Sequence, residues 1–84
     1  MSLKIFSVVE SVDSNILNTN SFIVRENENE KEVEKEVEKL FIDLIHEHTH
    51  PVTLDDKSKK FWLDKKVYTN HNYRLQIVSE YSKN

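Results

Sequence analysis

Apolar and polar residues alternate with two different periods along this chain. From Glu28 to His48 the apolar positions are Val33, Val37, Leu40, Phe41 and Leu44, with His48 closing the series. That i, i+3, i+4, i+7 spacing belongs to an amphipathic helix. At about 100° per residue these side chains share one stripe, and the opposite face is nearly all Glu and Lys. Asn27 is a suitable N-cap with Glu30 as its capping-box partner, and the early glutamates suit the positive end of the helix dipole. Pro51 biases His50 toward extended geometry, so the helix should end by His48. Ile42 falls roughly opposite the stripe, beside Lys35, Glu38 and Lys39.

The flanking segments read as strands. Leu3 to Val12 is rich in β-branched and aromatic residues, with apolar groups of both parities, as in a covered central strand. Ile5 and Val9 are taken as its core face. Asp13 to Asn20 reads as turn chemistry, too long for a two-residue hairpin loop. Ser21 to Glu26 is the second strand. Residues 52–60 are read as a loop or short strand, with a capped helical turn as the alternative. Phe61 to Tyr68 and Tyr73 to Tyr81 form a hairpin, with Tyr73, Leu75 and Ile77 on its dry face. The expected fold is a single α+β domain over residues 1–84: a ββαββ arrangement, mainly an antiparallel four-stranded sheet with one helix, 28–48, on one face. Its core should hold Ile5, Val9, Phe22, Val24, Val33, Val37, Leu40, Phe41, Leu44, Leu75 and Ile77.

Composition narrows the function. Eighty-four residues build a modest core, which disfavours a deep catalytic pocket. The chain has no Cys, as suits a reducing cytoplasm, and no apolar run long enough to span a membrane. Gly is absent, so turns needing positive φ should fall on Asn or Asp; Asn15, Asn18, Asn20, Asn70 and Asn72 are the candidates. The net charge of −3 is unevenly spread. Residues 1–50 carry eleven acids and five bases, for −6; residues 51–84 carry four acids and seven bases, for +3. Such segregation suits an interaction surface.

The candidate chemistry is sparse. His46, Glu47, His48, Thr49 and His50 supply the residue types of a zinc-binding HExxH helix, but Pro51 breaks the helix that must align them, and no third ligand is evident. A helix C-terminus with dipole-facing histidines accounts for the run, so no metal and no cofactor is expected. No nucleophile elbow or phosphate-cradling loop is present. Lys57, Lys59, Lys60, Lys65 and Lys66, interleaved with Phe61, Trp62 and Tyr68, point to a single-stranded nucleic-acid surface on the C-terminal hairpin as the alternative function.

The stretch Ser21 to Ile45, SFIVRENENEKEVEKEVEKLFIDLI, resembles the strand-into-acidic-helix element of small phage-encoded inhibitors of the anti-CRISPR type, which block RNA-guided nucleases. The resemblance implies a non-enzymatic inhibitor in the host cytoplasm that binds a larger host protein through an acidic surface. It carries over no individual residue. The contact residues expected from the helix are Glu30, Glu32, Glu34, Glu36 and Glu38, with Ile42 as an apolar anchor. Dimerisation through the same helix is left open.

Overall fold

A computed structural model describes residues 2–49 and 54–83. The elements run β1 (Ser2–Val12), β2 (Asn15–Val24), α1 (Glu30–Thr49), α2 (Asp56–Lys65), β3 (Val67–Asn70) and β4 (Tyr73–Lys83). The four strands form one antiparallel sheet in the order β2-β1-β4-β3. The expected α+β class and antiparallel sheet are present. The single-helix ββαββ order is not, because a second helix stands between α1 and β3.

Both hairpins turn on two residues, Asp13-Ser14 and His71-Asn72, so Asp13 and Asn72 are turn residues as expected while Asn15, Asn18 and Asn20 are not. Val12 pairs with Asn15 across Asp13 and Ser14, whose φ values are 52° and 68°. Positive φ at both central residues is the type I′ pattern, whose twist matches that of the strands. Asn70 pairs with Tyr73, and His71 has φ 55°. With no Gly available, ordinary residues carry the left-handed backbone. The two turns are joined by the Asp13 amide, which donates to the Asn72 carbonyl at 3.1 Å. The segment from 15 to 20, expected to be loop, is therefore strand. A register shift at Glu10/Ser11 leaves Leu17 as the extra residue of a bulge.

The β1 face expected from sequence is reversed. Phe6 and Val8 are buried, while Ile5 and Val9 are only half-buried on the other face. Side chains alternate, so register decides which set is covered. Val8 pairs with Ile77, Glu10 with Leu75 and Val12 with Tyr73, which puts the even β1 positions on the face bearing the helices. Val24, Val37, Phe41 and Leu75 are buried as expected; Phe22, Val33, Leu40, Leu44 and Ile77 are half-buried and pack against them. Ile45, Leu54, Tyr68 and Tyr73 complete the core.

α1 starts later than expected. Asn29, not Asn27, is the cap: its Oδ1 accepts from the Lys31 amide at 3.0 Å, and its carbonyl accepts from Glu32 and Val33. α2 occupies most of the segment read as a strand. Asp55 caps it, Oδ1 accepting from the Ser58 amide at 2.8 Å, and that bond holds the carboxyl below the usual Asp range. Lys66 ends it with φ 60°, its amide donating to the Trp62 carbonyl. Of the ambiguous stretch 52–60, residues 52 and 53 lie outside the described residues, as does Pro51. α1 lies over β1, β2 and β4, and α2 packs against β3. Among the described residues, no helix covers the opposite sheet face.

Candidate functional site

α1 meets three surroundings, and the 100° rule sorts its residues among them. Val37, Phe41 and Ile45 point into the core. One flank meets α2: Glu38, Ile42 and His46 border a cleft of about 360 Å³ whose other wall is Lys59 and Leu63. The remaining arc carries Glu32, Glu36, Lys39, Asp43 and Glu47, all exposed, and Lys39 and Asp43 also border the cleft to α2.

The expected contact residues divide accordingly. Glu32 and Glu36 lie on the exposed arc. Glu34 and Glu38 are half-buried on the α2 side, bordering a small recess with Leu63 and Lys66. Glu30 is exposed and forms an ion pair with Lys4 at 3.2 Å. Ile42 is half-buried and packs against the core, not opposite it, because α2 widens the stripe that α1 must cover. Asp43 and Glu47 were missed. Their signal was available, since Glu32, Glu36, Asp43 and Glu47 follow at i, i+4, i+11 and i+15.

α1 has a definite path over the sheet. α1 begins beside Lys4, near Val24, and ends where the Asn70 side-chain amide donates to the His48 carbonyl at 3.3 Å. It therefore crosses the sheet diagonally, from β1 at its start to β4 and β3 at its end. α2 stands on the β3 side, and by the 100° rule the exposed acids lie on the surface of α1 turned away from the core. Across Glu32 to Glu47 its rise is roughly 22 Å.

The basic, aromatic segment does not form a sheet platform. Phe61, Trp62 and Lys65 are on α2. Trp62 and Tyr68 meet edge-on at 4.9 Å and pack inward. Phe61 is exposed, with the Lys65 ammonium 4.7 Å from its ring centroid. The stacking surface on a C-terminal hairpin is thus replaced by a helix whose half-buried Trp62 turns inward.

The histidines diverge. His46 borders the α1–α2 cleft, and His48 stacks on Tyr73 with ring centroids 3.7 Å apart. His50 lies outside the described residues. Among the described residues, no cluster of three or more His, Cys, Asp or Glu could hold a metal ion. Below His48 lies the one buried charged side chain among the described residues, Glu10. Its Oε1 accepts from the Tyr73 hydroxyl at 2.8 Å. Burial pushes the Tyr73 phenol far above its ordinary pKa, and the Glu10 carboxylate adds to the shift.

A wider concavity of about 650 Å³ lies on the uncovered sheet face between the two hairpin turns. Asp13, His71 and Arg74 border it with Ser11 and Thr69. It mixes charge signs without a convergent set of groups.

These features define a small α+β domain whose sheet carries helices on one face and whose first helix gathers much of the acidic charge. No described helix is long and apolar enough to cross a membrane. No protein-family model, curated protein or solved structure matches the chain.

Proposed function

We propose that this protein is a binding module that occupies a basic surface of a larger protein with the exposed acidic arc of α1. The supporting observation is the exposed set Glu32, Glu36, Asp43 and Glu47 on a capped, core-anchored helix, with Asp43 also bordering the cleft to α2. Carboxylates held at fixed spacing on a rigid rod mimic the charge of a nucleic-acid backbone, and a basic groove that binds phosphates accepts them. The partner on this reading is a host nucleic-acid-processing or defence protein in the cytoplasm, as the resemblance over residues 21–45 implies. The protein acts there by occupancy and not by catalysis.

Electrostatic docking of this kind speeds association and weakens with salt. The test is capture of a basic host protein at low and high salt, in competition with duplex DNA, by the wild-type chain and by Glu36→Lys with Glu47→Lys. The wild type should release its partner as salt or DNA rises, and the variant should lose it while keeping its melting temperature. Capture that survives the charge reversal would sink the reading.

A further inference from the structure

The sheet face turned away from the helices is not built like one that meets water. Antiparallel sheets covered on one side ordinarily alternate apolar in and polar out. β1 instead carries apolar residues of both parities, and Leu3, Ile5 and Val9 fall on the open face. Ile23 and Ile16 of β2 lie beside β1 there, paired with Ile5 and Ser11, and are 43% and 73% exposed. Val78 of β4, paired with Ser7, is 40% exposed. All of these stand apart from the core under the helices. Of the strand positions on this face only Glu80 and Arg74 are charged, in a chain that is 32% charged. Asp13 and His71 belong to the turns, past the strand ends.

The two charges are placed symmetrically. Both sit on β4, either side of Ile77 and roughly 20 Å apart. A two-fold axis lying between two such faces, and crossing the strands at Ile77, sets Glu80 of one copy over Arg74 of the other, twice. The same axis sets Ile23 of one copy over Ile16 of the other, because those residues flank the same level on β2. The spacing of about 10 Å between packed sheets is within the joint reach of an Arg and a Glu side chain. An axis along the strands would instead stack Arg74 on Arg74 and Glu80 on Glu80, and like charges facing one another are destabilising. The size also fits. The central strands, each of eleven residues, are roughly 35 Å long, and four strands are roughly 19 Å wide. That is on the order of the about 800 Å² that each partner buries in a specific interface.

We propose that the open sheet face joins two copies of this chain in an antiparallel, face-to-face dimer, held by its apolar residues and by two Glu80–Arg74 ion pairs. The interface is self-complementary, as a two-fold contact must be. The two sheets become the inner layers of a sandwich and the helices its outer layers. In so small a domain this second apolar layer adds burial that one sheet and its helices supply only sparingly. The proposal goes beyond the binding function and does not depend on it. Both α1 helices stay on the outside of the dimer, so the acidic surface is presented twice.

The test is sedimentation equilibrium of the whole chain from about 1 μM to about 500 μM. The wild type should pass from 10.0 kDa to twice that mass as concentration rises, with a melting temperature that climbs in step. Val78→Lys puts an unpaired charge in the seam and should weaken the dimer at least about tenfold. Arg74→Glu and Glu80→Arg should each do the same alone. An equal mixture of those two variants should dimerise about as well as the wild type, because every facing pair then has opposite signs. Should Val78→Lys unfold the chain, the charge exchange still decides, since Arg74 and Glu80 are exposed. Glu36→Lys with Glu47→Lys, on α1, should leave the dimer unchanged. A chain that stays at 10.0 kDa throughout overturns the proposal. A dimer indifferent to Val78→Lys and to both single reversals is built on another surface, such as α1 or the β2 edge, and overturns it too. Single reversals that weaken the dimer but show no rescue on mixing would refute the placing of Glu80 over Arg74.

Discussion

Tyr73 joins the core to the end of α1. Its hydroxyl supplies the hydrogen bond to the buried Glu10 carboxylate, and His48 covers its ring. A phenol whose pKa is raised on folding contributes stability in full below its unfolded value of about 10 and loses it as pH climbs above that. Unfolding followed by urea at alkaline pH should therefore show a decline that Tyr73→Phe reduces, leaving the smaller part due to the buried Tyr68 phenol. At neutral pH the same substitution should cost about 1–3 kcal/mol by stranding Glu10. An unchanged midpoint would show that water serves the carboxylate equally well. None of this was legible in the sequence, where Glu10 is one acid among fifteen. The turns were legible only in part: Asp13 and Asn72 are turn residues as their type suggests, but a Gly-free chain does not mark Ser14 or His71, and Asn15, Asn18 and Asn20 are strand residues. Ser14 and His71 adopt left-handed backbone because hairpin register requires it, not because their own preference does.

At the scale of elements, what could be read followed the strength of the period. α1 repeats over five turns and was located almost to the residue, although its cap was misplaced by two. Asn29→Ala should lower stability by about 1 kcal/mol and Asn27→Ala should leave it nearly unchanged, since only Asn29 receives a helix amide. Chemical denaturation of the pair decides between the two caps; equal losses would argue against the observed start. The width of the stripe was underestimated because nothing in the chain announced α2. Ile45 is fully buried and Leu40 is not, so Ile45→Ala should cost about 2–5 kcal/mol and exceed Leu40→Ala. The reverse order would mean α1 is rotated from its observed setting. α2 itself has no fully buried residue and only Trp62 and Leu63 turned inward, too few to display a helical period. Its Phe-Trp-Leu run was read as a strand because those residues favour strands. β1 failed for a different reason. Apolar residues of both parities left its inward face undetermined until its register against β4 was known.

At the scale of the whole molecule, the charge asymmetry seen in the sequence becomes spatial. The basic residues of α2 stand on the β3 side, and the exposed acids of α1 lie on the helix surface turned away from the core. A protein with this dipolar surface is steered in orientation before contact, so association with a basic partner should slow steeply as salt rises while dissociation changes less. Stopped-flow measurement of both rates at two ionic strengths checks this once a partner is in hand. Equal sensitivity of the two rates would mean that charge acts only within the formed complex.

The strand order also sets how the chain must fold. β1 and β4 lie side by side in the middle of the sheet, pairing from Ser2 with Lys83 to Val12 with Tyr73. The two outer hairpins close on two-residue turns and involve neighbours in sequence, so each can form on the microsecond scale typical of such units, about 1–10 μs. Their union cannot. It joins the most distant parts of the chain and must meet the loop-closure entropy of everything between them, both helices included. The sheet's centre is thus its last part to assemble. Until it closes, Phe6, Val8 and Leu75 have no complete core to enter, and α1 has only half a floor. Substitutions along the β1–β4 seam are therefore expected to slow folding more than substitutions in either outer hairpin, which stopped-flow refolding checks.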